Sequence, residues 1–263
     1  ASPRHGMSEP AQHWVVVRLG TAQTLAWASS YYLPALLAQP MARDLGVGTS
    51  TIFAAFSLAL VVSALLGPLA GHAIDRHGGR PVLLGTNLLF AAGLGALALA
   101  QGPVGLFAAW ALIGIAMGSG LYEAAFATLV RLYGQGARGA ITGITLVAGF
   151  ASTVGWPLTA WMEATWDWRG ACAGWAALHL LLGLPLNAWL PRARLRPAPP
   201  APAPPDLATP PEAPVPHARR TALLLSFVFA ATWFTSTAMA AHLPRLLQAQ
   251  GLPLQAAVAA AAL

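Results

Sequence analysis

Glu123 is the one formal charge in the fifty residues 81–130. A carboxylate in such apolar company is a candidate for function, because burying a charge in hydrocarbon costs several kcal/mol. Tyr122 precedes it and Ser119 lies one helical turn earlier, so on a helix the three can line one polar cavity. A glutamic acid in apolar surroundings keeps its proton toward neutral pH, which suits a coupling-proton carrier or a donor to an anionic substrate. The competing role is a structural ion pair with Arg80, Arg131 or Arg138, and the residue types leave the two roles level. Gln23, Trp27, Ser30 and Tyr31 fall at i, i+4, i+7 and i+8, one helical stripe, which either contacts a substrate or forms a polar seam between helices. Trp233, with Thr232, Thr235, Ser236 and Thr237 around it, offers the same choice, since such hydroxyls also bond their own backbone. His179 is first a hydrogen-bonded packing residue, and second a base that could serve a nucleophile such as Ser119. The lone Cys172 has no disulfide partner, and no Cys/His set has zinc-ligand spacing. No catalytic residue, metal ligand or cofactor is assigned.

The elements that must position these residues are apolar helices. The chain of 263 residues is 57% hydrophobic and 8% charged, where a soluble domain carries about 25% charged residues. No Asp, Glu, Lys or Arg occurs in 19–42, 45–74, 81–122, 139–162, 170–191 or 221–244, giving gaps of 24, 30, 42, 24, 22 and 24 residues. A bilayer core about 30 Å thick takes roughly 20 residues of helix. The longest gap divides at Gln101-Gly102-Pro103, a turn signal. Seven spanning helices are therefore predicted, over 14–38, 50–73, 81–101, 104–130, 139–162, 170–190 and 221–243, with an eighth apolar run from Pro253 to Leu263. The first run has full spanning length and leads into more, so it reads as a retained helix and not as a cleaved signal.

All 14 basic residues are arginine and most sit singly between uncharged runs, the exceptions being Arg192, Arg194, Arg196 and the pair Arg219-Arg220 beside the proline-rich segment, so the net charge of +6 does not make a nucleic-acid face. With the N-terminus inside, Arg4, Arg76, Arg80, Arg131, Arg138, Arg192, Arg194, Arg196, Arg219 and Arg220 are cytoplasmic, and Arg43, Arg169 and Arg245 are outside. That bias predicts a cytoplasmic N-terminus. Residues 197–216 hold ten prolines in twenty and read as an extended linker, a plain spacer before a ligand for a partner domain.

Between the second and third helices the chain reads Gly71-His72-Ala73-Ile74-Asp75-Arg76-His77-Gly78-Gly79-Arg80-Pro81. Gly71 is expected to remove a side chain where helix ends pack closely. Gly78 and Gly79 permit the positive φ of a very tight turn, and Asp75 is expected to accept from the free N–H groups of the next helix. Arg76 and Arg80 can hold helix C-termini or lipid phosphates, and Pro81 suits a first helical turn. The spacing G-x-x-x-D-R-x-G-x-R, after the second of six helices, resembles the loop signature of the major facilitator superfamily, with Gly79 where that family often has a basic residue. Arg131-Leu132-Tyr133-Gly134 with Ala137 to Ile144 resembles the four-to-five loop of facilitators, especially the monocarboxylate-transporter-like branch. Asp167-Trp168-Arg169-Gly170-Ala171 resembles the start of helix six and echoes the turn at 75–80 on the opposite membrane face, as inverted repeats would.

The resemblance implies an all-α membrane fold divided into a cytoplasmic N-terminus (1–13), a six-helix lobe (14–191), a Pro/Arg-rich cytoplasmic loop (192–220) and the beginning of a second lobe (221–263). It implies a secondary transporter in a bacterial-type inner membrane, with Gly71, Asp75, Arg76, Gly78 and Arg80 gating. Gln23, Trp27, Ser30, Tyr31, Ser119, Tyr122, Glu123 and Trp233 would meet a small-molecule substrate or a proton, since facilitators line their cavity with helices one, four and seven. The branch implies an organic anion as substrate. Gly155 and Pro157 would bend the fifth helix, a loose likeness to the kink of facilitator antiporters. A non-transporting membrane protein is the alternative. A rhomboid-type intramembrane serine protease is a distant third, because Met117 stands where its G-x-S-G motif needs glycine. Twelve spans of about 20 residues need about 240 residues before any loop, so a partial chain, a truncated product or a chain that pairs with another is expected, unable to transport alone.

Overall fold

The computed structural model describes residues 9–192 and 218–262, and the proline-rich segment 197–216, residues 1–8 and Leu263 lie outside them. The described residues are mostly helical, with no strand among them. In an apolar medium a helix satisfies its own backbone polar groups. The order is α1 (Glu9–Ser29), α2 (Pro34–Asp44), α3 (Thr49–His77), α4 (Gly79–Ala98), α5 (Pro103–Gly120), α6 (Tyr122–Tyr133), α7 (Ala137–Ala148), α8 (Ala151–Leu178), a π-helical turn (His179–Gly183), α9 (Leu184–Ala188), α10 (Ala218–Ala249) and α11 (Leu254–Ala262).

Four helical runs among these residues are long and apolar enough to cross a membrane: Thr49–His77, Gly79–Ala98, Pro103–Ala188 and Arg219–Ala249. The third holds 86 residues, which as one straight helix would be about 130 Å long, several bilayer cores. It folds back on itself at Gly134–Gly136 and at Asp167.

The predicted spans lie in helix, and four of them are interrupted. The first breaks at residues 30–33, where Pro34 opens α2. The fourth breaks at Leu121, which is extended at φ −83°, ψ −161°, and the fifth breaks at Gly149 and Phe150. The sixth ends through the π-helical turn at His179–Gly183. The connection expected over 163–169 is one residue, Asp167, at φ 65° and ψ −179°. Its Oδ1 accepts from the amides of Arg169 at 2.6 Å and Gly170 at 3.0 Å. These are free donors at a helix start, so a new helix begins as the old one ends.

Glycines set the closest helix approaches. A Cβ on Gly114 would lie 2.5 Å from the Ala59 carbonyl oxygen, and one on Gly118 would lie 2.7 Å from that of Ser63. The two glycines and Ala59 with Ser63 form facing small-xxx-small pairs that draw α5 against α3. Gly155 does the same for α8 on α1, where a Cβ would stand 2.6 Å from Ala28 Cβ. The main core gathers around Trp110, Trp175 and Phe90, all buried.

Candidate functional site

The break at Leu121 interrupts the helical hydrogen-bond ladder, and Gln23 Nε2 donates to the Gly120 carbonyl there at 2.7 Å. A carbonyl only accepts, so the amide orientation is fixed and Oε1 is the free end. That oxygen is buried without a hydrogen-bond partner, on a side chain only 2% exposed. One turn along α1, Trp27 is 8% exposed and its Nε1 also has no partner.

Around Trp27 the structure assembles an aromatic cluster from three parts of the chain. Its ring centroid lies 5.0 Å from Tyr31, 4.8 Å from Tyr122 and 6.4 Å from Trp233, the last nearly parallel at 17°. Tyr122 stacks on Phe126 at 5.3 Å and Tyr31 meets Phe56 at 6.0 Å. The Tyr31 hydroxyl hydrogen-bonds Thr237 Oγ1 on α10. Trp233 is 51% exposed.

Of the four residues of the stripe, Trp27 and Tyr31 share this cluster, and Gln23 lies one helical turn before Trp27. Ser30 is not part of it: it is buried and its hydroxyl donates to the Ala26 carbonyl at 2.6 Å, the local bond open to any helical serine. Ser119 is also turned inward, donating to the Ile115 carbonyl at 2.9 Å and accepting from Thr86 Oγ1 at 3.0 Å. Thr232 and Thr235 bond their own helix. Glu123 is exposed, on the side of α6 opposite its buried residues Ala124, Ala125, Thr128 and Leu129. The ion pair considered with Arg80, Arg131 or Arg138 is not formed; among the described residues the one salt bridge joins Arg169 and Asp44.

The α10 helix leans on the rest along its second half. Residues 219–236 are all exposed, whereas Ala241 and Pro244 are buried. Besides Tyr31 and Thr237, contact is made by Phe53 with His242 at 4.8 Å and by Arg245 Nη2, which donates to Gln39 Oε1 at 3.4 Å.

In the loop at 71–81 only part of the expected mechanics is present. Gly78 takes φ 86° and ends α3, so a left-handed residue is required there. Gly79 instead opens α4, and a Cβ on it would fall 1.9 Å from Thr128 Oγ1. Gly71 does not mark a close approach, since a Cβ there would meet nothing within 4 Å. Asp75 does not cap α4: the cap position is Gly78, and no side chain bonds it. The Asp75 backbone carbonyl, left over at the end of α3, instead accepts from Arg131 Nη1. That is the helix-end role expected of Arg76 and Arg80. The opposite face has a fuller lock. Arg169 donates to Asp44 Oδ2 at 2.9 Å and to the Ala98 carbonyl at 2.7 Å, and lies 4.3 Å over the Trp168 ring. Trp168 Nε1 also donates to Asp44 Oδ2, at 3.2 Å.

His179 is the hydrogen-bonded packing residue that its sequence setting suggested, but its partners were not legible in the sequence. It is fully buried, with Nε2 2.8 Å from Ser29 Oγ and Nδ1 2.9 Å from Asn87 Oδ1, and its ring is stacked on Phe90 at 4.6 Å. Asn87 Nδ2 donates to the Leu83 carbonyl at 2.8 Å, which leaves Oδ1 as acceptor and puts the histidine proton on Nδ1. Gly183 admits this arrangement, because a Cβ there would lie 2.2 Å from Asn87 Oδ1. Both ring nitrogens are thus engaged away from Ser119, and the nucleophile–base pair that a serine protease requires is not assembled. The pairing joins residues 29, 87 and 179, too far apart in sequence for any periodic signal.

The helices and their apolar surfaces define a polytopic, all-helical membrane protein. The chain matches the sequence profile of the Major Facilitator Superfamily over residues 19–263, and it belongs to that family of membrane transporters. It is 34% identical over 153 residues to the "Uncharacterized 38 kDa protein in 23S RNA operon" of Thermoproteus tenax, a match covering 58% of this chain and 40% of that protein. The chain spans less than half of that relative's length.

Proposed function

We propose that the chain contributes the first lobe, central loop and start of the second lobe to a secondary transporter that moves a small molecule by alternating access. In this reading residues 14–191 form the lobe, 192–220 the cytoplasmic loop and 221–263 the beginning of its partner lobe, in a bacterial-type inner membrane with the N-terminus cytoplasmic. The observation that carries the reading is the meeting of α1, α6 and α10 at Trp27, Tyr122 and Trp233, beside the helix break at Leu121. Interrupted helices at mid-membrane are where transporters of several folds hold their substrates. The exposed first half of α10 leaves the side nearest the N-terminus of α1 open, and the Tyr31–Thr237 and Gln39–Arg245 contacts close the other. Gly78 and the Arg131–Asp75 contact stiffen the α3–α4 loop on the open side, where the gating role of 71–80 would be exerted. Glu123 is the coupling-proton candidate, being the exposed carboxylate on α6 next to Tyr122.

Thiol accessibility in inverted membrane vesicles tests this. In a Cys172→Ser background, Trp233→Cys is expected to react with a membrane-impermeant maleimide. Leu181→Cys, on a residue 78% exposed that the reading turns to lipid, is expected not to react. Equal labelling of the two positions, or none at Trp233→Cys, refutes the cavity.

A further inference from the structure

We propose that the aromatic cluster at Trp27 selects an organic cation, and not the anion implied by the likeness to the monocarboxylate branch; this rests on reading the cluster as the substrate site. Four observations at and beside that cluster favour a cation, against one buried donor there without a partner, Trp27 Nε1.

First, Trp27 on α1, Tyr31 in the break after it, Tyr122 on α6 and Trp233 on α10 present π-faces and edges to one another. Aromatic faces attract a cation through the ring quadrupole and repel an anion, the more so out of water. Second, among the described residues no arginine lies over any of the four rings; the cation–ring contacts there are Arg18 with Trp189 and Arg169 with Trp168. An organic anion would have no guanidinium to receive it, although bidentate arginine is the usual carboxylate partner.

Third, the Leu121 break gives α6 a free N-terminus in mid-chain, worth about +0.5 charge. Alone it would favour an anion. Glu123 stands in that first turn as an exposed acidic side chain with no ion pair among the described residues. An acidic side chain at this end of α6 opposes the preference of the bare helix end for an anion. Fourth, Gln23 Oε1 is a buried acceptor without a donor, and its own amide nitrogen is committed to Gly120. An unmet acceptor calls for an N–H donor, which an alkylammonium or amidinium carries and a carboxylate lacks. The Trp27–Trp233 separation of 6.4 Å is at the wide end for paired rings, and Trp233 sits on the loosely seated half of α10, so the pair can part to admit a ligand.

Two probe ions of one shape and opposite charge separate the classes. Tetraphenylphosphonium and tetraphenylborate are titrated by equilibrium dialysis against the purified 263-residue chain in neutral detergent, with empty micelles as blank. The expected result is saturable binding of the phosphonium, at least about tenfold tighter than any saturable binding of the borate. Glu123→Gln is expected to weaken it about tenfold while the protein stays folded, because the side chain is exposed and without an ion pair among the described residues, so the fold loses only its weak interaction with the α6 N-terminus. Trp27→Leu is expected to abolish it, and Trp27→Phe, which keeps a ring, to retain part. Borate binding equal to or tighter than phosphonium binding overturns the proposal, as does phosphonium binding indifferent to Glu123→Gln. Binding of neither ion, with Trp233→Cys still labelled selectively, rejects the cationic class and leaves the transporter reading standing. Loss of the selective labelling rejects that reading itself.

Discussion

Replacing Gly114 with alanine tests whether the close backbone contact between α3 and α5 holds the bundle together. The added methyl would lie 2.5 Å from the Ala59 carbonyl oxygen and 2.8 Å from its Cα, where unstrained contacts run about 3.5–4.0 Å between carbons. Both offending atoms are backbone, so no side-chain rotation relieves the clash and the helices must part by roughly 1 Å. Overpacking of that kind costs about 1–3 kcal/mol. Gly118→Ala meets the Ser63 carbonyl oxygen at 2.7 Å and falls in the same range. The pair lies one turn apart on one face, so separation forced by the first relieves the second, and the double variant should lose less than the sum. Unfolding by SDS in mixed micelles, followed by tryptophan fluorescence, supplies the measurement. Gly71→Ala and Gly95→Ala are the controls, since a Cβ at either meets nothing within 4 Å; each should hold or gain up to about 1 kcal/mol, as Ala does over Gly within a helix. Gly114→Ala as stable as Gly95→Ala would refute the argument.

Three further outcomes are expected from the same assay. His179→Leu strands the buried Asn87 Oδ1, at about 1–3 kcal/mol, and His179→Leu with Asn87→Leu should recover part of the loss because no orphaned acceptor remains. Asp44→Asn removes the accessible ion pair with Arg169 and should cost about 1 kcal/mol or less, a difference that shrinks in high salt. Arg169→Ala should cost more, because the bond to the Ala98 carbonyl and the stack on Trp168 go with it. Asp167→Ala should lose about 1–2 kcal/mol through the missing cap. Asp167→Asn should lose less, since asparagine both caps a helix and tolerates positive φ.

The apolar spans, the tight turn at Gly78 and the family were all legible in the residues. Charge placement and glycine spacing are local properties, and a bilayer lets a chain of this composition do little other than form helices. The aromatic stripe of Gln23, Trp27 and Tyr31 was legible too, because helical periodicity puts i, i+4 and i+8 on one face. What periodicity cannot say is which face finds a partner. Ser30 shares the stripe yet bonds the Ala26 carbonyl, Gly79 packs on Thr128 while Gly71 packs on nothing, and Arg131 reaches Asp75 where Arg76 and Arg80 were expected to cap. The Ser29–His179–Asn87 contacts, the Gly114–Ala59 approach and the opposition of Trp27 to Trp233 each join residues that are distant in the chain. Sequence determined the helices and the surfaces they had to bury; tertiary structure decided which polar groups met inside, because hydrogen bonds and close packing depend on distances of tenths of an ångström that only the assembled bundle sets.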